Sequence, residues 1–392
     1  MKPIVLVVGT RAEALKLVPL YIKLKEENFF VYLCGTFQHA EMLRQVFDLF
    51  NVSPDFNLDI MVPNQDLFHV HVAALEKTKE VYQKINPALV IVHGDTTTTL
   101  CAAMAAFYMR IPIAHVEAGL RTGNMYSPFP EEMNRKVVGQ IATYHFSPTA
   151  LATANILAEG VSRENVFCTG NTIVDSLQFI SRKILSKEVL VNSDLIFKVD
   201  ECKRKNKKII LLTAHRRESF DGGLNRIFSA IKTFAENYQD VEIFYPSHPN
   251  PNVLKAIEES ELKEISNISI MPPLIYKDLV YILMNCDFVA TDSGGIQEEA
   301  VSLGKKVLCL RDVTERYEGV WEGSEILVGT NVEKILDGLQ KFYQQDYYSS
   351  KPSSIYGDGN ACTRIASILK SKLNLEIPNS LIRSGIVKLE KI

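Results

Sequence analysis

The chain has 392 residues, of which 46% are hydrophobic and 23% are charged, and its formal net charge is −3. This composition is typical of a soluble globular protein and excludes a disordered chain, and the length is sufficient for two domains. A weakly acidic protein lacks the positive surface field of most nucleic-acid-binding proteins, so we expect no nucleic acid among its partners. The one basic cluster, Lys203–Lys208, precedes a strand-like run and is interpreted as a solvated loop.

Seven cysteines are scattered singly along the chain without a CxxC pair, mostly within apolar runs. This pattern is typical of reduced core cysteines in a cytosolic protein. The apolar run from Val5 to Val8 leads directly into Gly9 without a cleavage site, so it predicts a first strand and not a signal peptide. No stretch approaches the roughly 18 apolar residues that a membrane span needs. We therefore predict a cytoplasmic protein with no membrane partner.

Short apolar runs alternate with longer amphipathic segments along the chain, which predicts repeated strand–helix units and parallel sheets of an α/β protein. The strands predicted in the first half are Ile4–Val8, Val31–Cys34, Ala88–Val92, Ile111–His115, Tyr144–Phe146 and Val166–Thr169. The strands predicted in the second half are Ile209–Thr213, Glu242–Tyr245, Ile268–Met271, Phe288–Thr291, Lys306–Leu310 and Ile326–Val328. Helix-length segments between them include Glu13–Glu27, His69–Lys84 and Leu224–Asn237.

A charged segment without strand periodicity, from about Asp175 to Lys208, separates the two halves. We place the connection between two domains there, so the first domain is predicted over residues 1–175 and the second over residues 176–364. The segment Ala361–Leu373 has helical spacing, and a C-terminal helix over about residues 365–392 is predicted to join the first domain.

Candidate functional residues follow the predicted strands, at the edge of a parallel sheet where ligands gather. The first group is Gly9 and Arg11, in the turn between the first strand and its helix, with Lys16 one turn into that helix. Gly9 allows a sharp turn, free amides at a helix start favour an anion, and the two cations suit a diphosphate. The turn lacks the G-x-G-x-x-G pattern, so a nicotinamide cofactor is not indicated. A plain turn with surface bases remains the alternative.

Two further predicted strands are each followed closely by a carboxylate two residues after a histidine: His93 with Asp95, and His115 with Glu117. Residues two apart share one face of a strand, so each pair is expected to point the same way. Such pairs suit acid–base catalysis, and metal binding is a less favoured alternative. In a third interpretation one or both histidines only satisfy loop carbonyls. The threonines after Asp95 predict a helix start with hydroxyl caps.

Glu131 and Arg135 follow a stiff approach, SPFP, and lie four residues apart on one face of a predicted helix. A surface ion pair is the plain interpretation. The loop Gly119–Gly123 and the stiff entry favour a placed catalytic pair.

The second domain carries His215 after one predicted strand and the segment Ser293–Gly295 after another. Ser293 is expected to cap the next helix while the glycine amides approach a phosphate. Glu299, one and a half turns into that helix, is positioned to accept both hydroxyls of a ribose, and Arg316 adds a cation after the next strand.

The chain resembles the non-hydrolysing UDP-N-acetylglucosamine 2-epimerases in motifs that occur in order from residue 4 to about 370: GTRAEALKL, VHGDTTTT, AHVEAGLRTGNMYSPFPEEMNR, FSPT, TGNTIVDSL, LLTAHRRES, TDSGGIQEEA and RDVTER. The resemblance implies a GT-B fold, in which two Rossmann-like doubly wound domains hold the active site in the cleft between them. It also implies a homodimer that acts on a UDP-sugar. No cofactor and no metal are expected.

The resemblance also implies roles for individual residues. It assigns the nucleotide contacts to Arg11, Lys16, His215, Ser293, Gly294, Gly295, Glu299 and Arg316. It assigns the chemistry to Asp95, Glu117, Glu131, Arg135 and His215, with Asp95 and Glu117 as the first acid–base pair. The implied reaction is reversible inversion of C2 of UDP-N-acetylglucosamine, by elimination of UDP to 2-acetamidoglucal and re-addition, for cell-surface polysaccharide synthesis.

Three positions depart from the family pattern. Ala12 replaces the usual proline, and Leu279 stands where an aromatic side chain commonly lies near the uracil, so nucleotide affinity is expected to differ. Ala73 stands in place of an arginine of the family's regulatory second substrate site. We hypothesise that activation by substrate is weakened or absent, which a sigmoidal rate curve would contradict.

Alternative functions remain open at the level of sequence. A 2-epimerase of a modified UDP-N-acetyl sugar is the main substrate alternative, and a hydrolysing 2-epimerase is a second one. A GT-B glycosyltransferase would need an acceptor groove. A binding protein would not need three acids at strand ends.

Overall fold

The computed structural model describes residues 2–38, 40–62, 65–344 and 351–373. The chain divides into two compact units: unit 1 is Met1–Ser176 with Tyr356–Ile392, and unit 2 is Leu177–Ile355. Over the described ranges, every helix is too short or too polar to traverse a lipid bilayer.

Strands and helices alternate through both units. The strands are β1 Ile4–Val8, β2 Val31–Gly35, β3 Phe56–Asn57, β4 Leu89–His93, β5 Ile113–Val116, β6 Tyr144–Ser147, β7 Val166–Cys168, β8 Lys208–Thr213, β9 Val241–Pro246, β10 Ile268–Met271, β11 Phe288–Thr291, β12 Lys306–Cys309 and β13 Glu325–Leu327. The helices are α1 Arg11–Glu26, α2 Ala40–Phe50, α3 Leu67–Ile85, α4 Thr97–Tyr108, α5 Glu131–Ile141, α6 Ala150–Ala158, α7 Thr172–Leu185, α8 Ser193–Arg204, α9 Gly223–Asn237, α10 Pro251–Glu259, α11 Tyr276–Asn285, α12 Gly294–Ser302, α13 Tyr317–Trp321, α14 Val332–Gln344 and α15 Ala361–Lys372.

Unit 1 contains a seven-stranded sheet in the order β3-β2-β1-β4-β5-β6-β7, and its ladders are parallel. All five residues of β1 and of β4 are buried, because helices cover both faces of such a sheet and select continuous apolar runs. The chain reverses its direction of winding between β1 and β4, which is the position where ligands bind in doubly wound folds.

Unit 2 repeats the plan with six parallel strands in the order β10-β9-β8-β11-β12-β13. Its core is formed by apolar side chains of the sheet and of α9, α10 and α14, among them Ile210, Phe228, Ile243, Val253 and Leu339. The winding reverses between β8 and β11, so the loops after these strands occupy the position where nucleotides bind in doubly wound folds.

The predicted α/β architecture of two doubly wound sheets is confirmed. All twelve predicted strands are present, three with the predicted ends and nine with ends shifted by one or two residues. The additional strand is β3, which has only two residues and no alternating pattern to reveal it. The segment predicted as a connection contains most of α7 and all of α8. The basic cluster spans the end of α8, the turn after it and the first residue of β8.

The end of the described chain returns to unit 1. The Asp175 carboxylate accepts hydrogen bonds from the amides of Ala361 and Cys362, at 3.2 and 2.9 Å, and so holds the start of α15. Lys370, in the last turn of α15, donates a hydrogen bond from its ammonium group to the carboxylate of Glu27, which follows α1. The helix predicted over residues 365–392 thus begins earlier, at Ala361, and its predicted part beyond residue 373 lies outside the described residues.

All seven cysteines are free, and six of them are buried as predicted. Cys168 is the exception, because it ends the edge strand β7 and its side chain is exposed.

Candidate active site

The turn between β1 and α1 places hydroxyl groups against Gly9. A Cβ atom at this position would lie 2.3 Å from Thr98 Oγ1 and 2.5 Å from Thr36 Oγ1. The residue does not have a positive φ angle. The reason for glycine here is therefore the close approach of two side chains, and the predicted conformational reason is wrong.

Glu13 occupies the inside of this turn and is almost fully buried. Its Oε2 accepts hydrogen bonds from the amides of Gly9 and Thr10, at 3.0 and 2.7 Å. Its Oε1 accepts from the hydroxyls of Thr96 and Thr99, at 2.6 and 2.9 Å. The expectation that these loop amides are open to an external anion is wrong for Gly9 and Thr10, because the chain supplies its own carboxylate.

The threonines after Asp95 start α4 as predicted. Thr96 is the N-cap, and its hydroxyl accepts a hydrogen bond from the amide of Thr99 at 3.1 Å. Since Thr96 also donates to Glu13, the same hydroxyl links the turn after β1 to the loop after β4. Lys16 lies in α1, one turn after the first of these loops, and Asp95 lies in the second.

Glu117 is the centre of a buried polar cluster at the end of β5. Its Oε2 forms an ion pair with Lys16 Nζ, accepts a hydrogen bond from Asn171 Nδ2 at 2.8 Å, and lies 3.6 Å from His93 Nε2. Its Oε1 lies 3.5 Å from Arg135 Nη2. The four partners come from α1, β4, α5 and the loop before α7, so four separate segments of unit 1 converge on this carboxylate.

The cluster keeps Glu117 ionised. Burial by itself would raise the pKa of this carboxyl, but Lys16, His93 and Arg135 outweigh it and hold the pKa well below its usual range. An ionised, desolvated carboxylate with directed partners is a candidate for accepting a proton from a substrate.

Arg135 connects Glu117 to Asp95. Its Nη2 donates a hydrogen bond to Asp95 Oδ2, and its Nη1 donates to the backbone carbonyl of Glu117. The side chain is nearly buried, so the interpretation of Arg135 as one half of a surface ion pair is wrong. Glu131, the first residue of α5, is half-buried one turn before it.

The two histidines contact different groups. The expectation that each histidine and its carboxylate point the same way assumed a regular strand, but Gly94 and Glu117 have positive φ angles, of 67° and 59°. The backbone therefore leaves the strand conformation just before Asp95 and at Glu117, and the two-residue repeat is lost. His115 Nε2 contacts the Gly94 carbonyl at 2.8 Å, and burial keeps the pKa of this imidazole well below its usual value. His93 instead faces Glu117.

Two residues of unit 1 with clear structural roles were not singled out from the sequence. Asn171 lies in the TGNTIVDSL motif and contacts Glu117 directly. Glu132 is buried beside Glu131 and accepts hydrogen bonds from the amides of Thr122 and Gly123, both at 3.1 Å, so it anchors the loop before α5. Helix periodicity could have distinguished Glu131 from Glu132 in the sequence, because only one of two consecutive helical residues faces inward.

In unit 2 the loops after β8 and β11 are joined through Asp292. This fully buried carboxylate accepts hydrogen bonds from the backbone amides of His215 and Arg216 and approaches His215 Nδ1 at 3.3 Å. The His215 ring is stacked on His248, with centroids 5.2 Å apart and planes 9° apart. The turn that presents His215 is therefore fixed both through its backbone and through its ring.

The start of α12 is shaped for close approach from outside. Ser293 is its N-cap residue, but its side chain makes no capping hydrogen bond, so the predicted cap is wrong and the hydroxyl is not committed to the helix. A Cβ atom on Gly294 would lie 2.5 Å from the Arg316 guanidinium. A Cβ atom on Gly295 would meet no atom within 4 Å, so this residue borders open space on its Cα side.

Arginines and carboxylates surround this helix start. Arg316 donates to Glu298 Oε1 at 2.9 Å and to Glu315 Oε2 at 3.0 Å. Arg311 contacts Glu315 as well, at 3.0 Å. Burial would raise the pKa of Glu315, but Arg316 and Arg311 lower it to about 2. Glu299, in α12, is buried and accepts a hydrogen bond from the Tyr276 hydroxyl at 2.6 Å.

The structure thus groups the predicted residues by unit. Those of unit 1 are Arg11, Lys16, Asp95, Glu117, Glu131 and Arg135, and those of unit 2 are His215, Ser293, Gly294, Gly295, Glu299 and Arg316. Among the residues that the structure describes, no three histidine, cysteine, aspartate or glutamate side chains are arranged to hold a metal ion. Unit 1 offers acid–base groups, and unit 2 offers a helix N-terminus with cations near its first residues.

Two Rossmann-like units with these features define a GT-B-like α/β enzyme. A family model of UDP-N-acetylglucosamine 2-epimerases matches residues 22–370. A Yersinia pestis protein named UDP-N-acetylglucosamine 2-epimerase is 45% identical over 369 residues, which is 93% of this chain and 97% of that relative. The chain belongs to the UDP-N-acetylglucosamine 2-epimerase family, and it is an enzyme of the isomerase class.

Solved structures agree with this assignment. The S. aureus protein MnaA, solved with UDP, has a TM-score of 0.88 and 39% identity, with 96% of this chain and 99% of that chain covered. The UDP-GlcNAc 2-epimerase of Neisseria meningitidis, solved with UDP-GlcNAc, has a TM-score of 0.88 and 38% identity, with 94% and 100% covered.

Proposed function

We propose that this protein interconverts UDP-N-acetylglucosamine and UDP-N-acetylmannosamine without net hydrolysis. The observation that carries the proposal is the buried Glu117 carboxylate, which is kept ionised by Lys16, His93 and Arg135 and is linked through Arg135 to Asp95. Two acids in one cluster are what an inversion at carbon needs, because a proton leaves one face and another returns to the opposite face.

The chemistry must solve the problem that the C2 proton of an N-acetylhexosamine is not adjacent to a carbonyl carbon. Departure of UDP from C1 creates oxocarbenium character and acidifies that proton. A carboxylate removes it, the C1–O bond to UDP breaks, and 2-acetamidoglucal forms beside UDP. Protonation of C2 on the other face and attack of UDP oxygen on C1 then give the epimer.

In this scheme Glu117 and Asp95 are the two proton-transfer groups, and Glu131 is the alternative to Asp95. Glu117 is positioned by four partners, which suits a directed proton transfer. Arg135 holds both carboxylates and balances their charge. Lys16 is engaged with Glu117, so we propose that it supports this acid, in addition to the diphosphate contact expected from the sequence.

Unit 2 is proposed to hold the nucleotide. The uncapped start of α12, with the Ser293 hydroxyl and the amides of Gly294 and Gly295, suits the β-phosphate, and Arg316 adds positive charge beside it. His215 is a further candidate donor to the diphosphate in this unit. Stabilising the charge that develops on departing UDP is the contribution expected to be largest. Glu299, oriented by Tyr276, is proposed to accept the ribose hydroxyls.

We further propose a cytoplasmic homodimer. Seven free cysteines suit a reducing compartment. Three large apolar side chains, Leu67, Phe68 and Val72, are exposed in the first turns of α3, which is consistent with a self-association surface. Light scattering of the wild type and of Phe68→Glu tests this, with a dimer expected for the first and a lower mass for the second. An unchanged mass in the variant would remove this surface from consideration.

The decisive experiment is proton NMR of the purified protein with UDP-N-acetylglucosamine in D2O. A UDP-N-acetylmannosamine signal with deuterium at C2 and little free UDP is the expected result. Stoichiometric UDP with free N-acetylmannosamine would indicate a hydrolysing enzyme, and no change would direct the search to a modified UDP sugar or, with an added acceptor, to glycosyl transfer.

The same assay tests the proposed acids. Glu117→Gln and Asp95→Asn should each reduce turnover by at least about 100-fold, because a proton-transfer group is lost. Glu159→Gln is the matched control, since Glu159 is also paired with an arginine, Arg121 at 2.7 Å, outside the cluster. Near wild-type turnover in both acid variants would refute the proposed site.

A further inference from the structure

The two oxygens of Glu117 have unequal surroundings. Oε2 has Lys16, Asn171 and His93 around it. Oε1 has a single contact among the described residues, with Arg135 at 3.5 Å. Gly94 leaves space beside this oxygen, since a Cβ atom there would lie 3.4 Å from it. One oxygen is therefore saturated by donors, and the other is the oxygen that can exchange a proton.

We propose that Asn171 is a positioning residue for the reaction, which holds Glu117 through Oε2 so that Oε1 is presented for proton transfer. The inference rests on the catalytic role proposed for Glu117. Asn171 donates through Nδ2 at 2.8 Å and is itself almost fully buried, so the hydrogen bond is shielded from water.

The Asn171 side chain has a fixed orientation. Its Oδ1 accepts a hydrogen bond from the amide of Ile173 at 3.1 Å, which leaves the Nδ2 end to face Glu117. Its backbone amide donates to the Tyr356 carbonyl at 2.7 Å. Because both ends of the amide group and the backbone are fixed, the carboxylate partner is held without a flexible link.

Asn171 also lies at the joint of the two segments that build unit 1. The first segment ends at Ser176, and Tyr356 is the first residue of the second. Gly170 and Gly357 are packed together here, and a Cβ atom on Gly170 would lie 3.1 Å from Gly357 Cα. Through Asn171, Glu117 is therefore held at the place where the chain leaves unit 1 and where it returns to it.

The charged groups in contact with Glu117 include Lys16 from α1, His93 from β4, and Arg135 from α5 with Asp95 behind it. Asn171 adds a donor without adding a formal charge. Asn171→Asp places a carboxylate at the same point. Its oxygen can still accept from Ile173, so the turn is kept, but the donor to Glu117 is replaced by an anion.

The expected result for Asn171→Asp is a fall in kcat of about 100-fold with a KM within about threefold of wild type. The acid limb of the pH profile of kcat should move upward by about one pH unit, because a neighbouring anion disfavours ionised Glu117. Asn155→Asp is the control: Asn155 Nδ2 donates to the Gly119 carbonyl at 2.9 Å, two residues from Glu117. It should keep the wild-type kcat and acid limb.

A wild-type kcat and acid limb in Asn171→Asp would overturn the inference, and so would equal losses in the two aspartate variants. If Asn171→Asp does not fold, Asn171→Ser is assayed, since its hydroxyl can still accept from Ile173. It should lower kcat at unchanged KM, and unchanged kcat would overturn the inference. Glu117→Gln is assayed in parallel: full activity there refutes the proposed acid itself, whereas an inactive Glu117→Gln with a normal Asn171→Asp refutes the role of Asn171 alone.

Discussion

Asp292 Oδ2, after β11, accepts hydrogen bonds from the backbone amides of His215 and Arg216, after β8, at 2.5 and 2.7 Å. The two loops meet at the point where the sheet of unit 2 reverses its winding, so one buried carboxylate fixes the shape of the proposed nucleotide site.

Asp292→Asn should therefore weaken UDP binding as well as the fold. The neutral amide is a weaker acceptor for two amides, and its own N–H group enters a site built for an anion. We expect a loss of about 1–3 kcal/mol in the free energy of unfolding and a Kd for UDP raised about tenfold. Asp287→Asn is the control, because Asp287 precedes β11 and accepts from the amide of Ile209 at 2.6 Å. It should lower the thermal midpoint at an unchanged Kd in calorimetry; equal effects on Kd would contradict the prediction.

Two neighbouring glycines in α12 should respond differently to alanine. In Gly294→Ala the new methyl group collides with Arg316, so both the thermal midpoint and UDP affinity should fall. In Gly295→Ala no protein atom is displaced, and helix propensity favours alanine, so the midpoint should be unchanged or higher. UDP affinity should still fall about tenfold, since the methyl group occupies the space beside the amide. Wild-type affinity in Gly295→Ala would show that no phosphate approaches there.

The pH dependence of stability should contain a contribution from Asp175. Burial raises the pKa of this carboxyl from 3.8 to about 6 in the folded protein, although the amides of Cys362 and Ala361 oppose the shift. Between these two values the folded state keeps its proton while the unfolded state has lost it. The contribution of Asp175 to the free energy of unfolding is therefore complete at acid pH. It falls by about 3 kcal/mol as the pH rises to about 6.

Asp175→Asn should remove this slope. The thermal midpoint of the variant, relative to wild type, should rise from pH 4.5 to pH 7.5. Asp358→Asn is the contrast. The Arg364 partner lowers the pKa of Asp358, so the contribution of Asp358 to stability is complete once the pH is above the unfolded-state pKa of 3.8. That variant should show a constant deficit over the same range. A constant difference for Asp175→Asn as well would contradict the assignment.

Initial rates against UDP-N-acetylglucosamine should follow a hyperbola with a Hill coefficient near one. The reason is the side chain at position 73, where alanine replaces the arginine expected of a regulatory substrate site, and Ala73 has no group to bind a second diphosphate. Addition of UDP-N-acetylglucosamine in the reverse assay should give no activation. A clearly sigmoidal curve would contradict the hypothesis.

The sequence predicted the elements whose pattern is local. Continuous apolar runs such as Ile4–Val8 identify buried strands by themselves, and short apolar runs predict twelve of the thirteen strands in the described part of the chain. Pairings across the fold were not predictable. His93 faces Glu117 while His115 turns to Gly94, because the positive φ angle of Glu117 redirects a side chain that a strand repeat would place elsewhere. Glu13 and Asn171 act through contacts 83 and 54 residues away in sequence, which no local pattern encodes.

The return of α15 to unit 1 has a consequence for biosynthesis. Translation delivers all of unit 2 before residues 361–372 leave the ribosome, so unit 2 can complete its core while unit 1 still lacks its last helix. Until then the Asp175 carboxylate has no amides to bind and α1 is without its α15 neighbour. A released chain that ends before Ala361 would thus carry a complete second unit and a first unit open to chaperones and proteases.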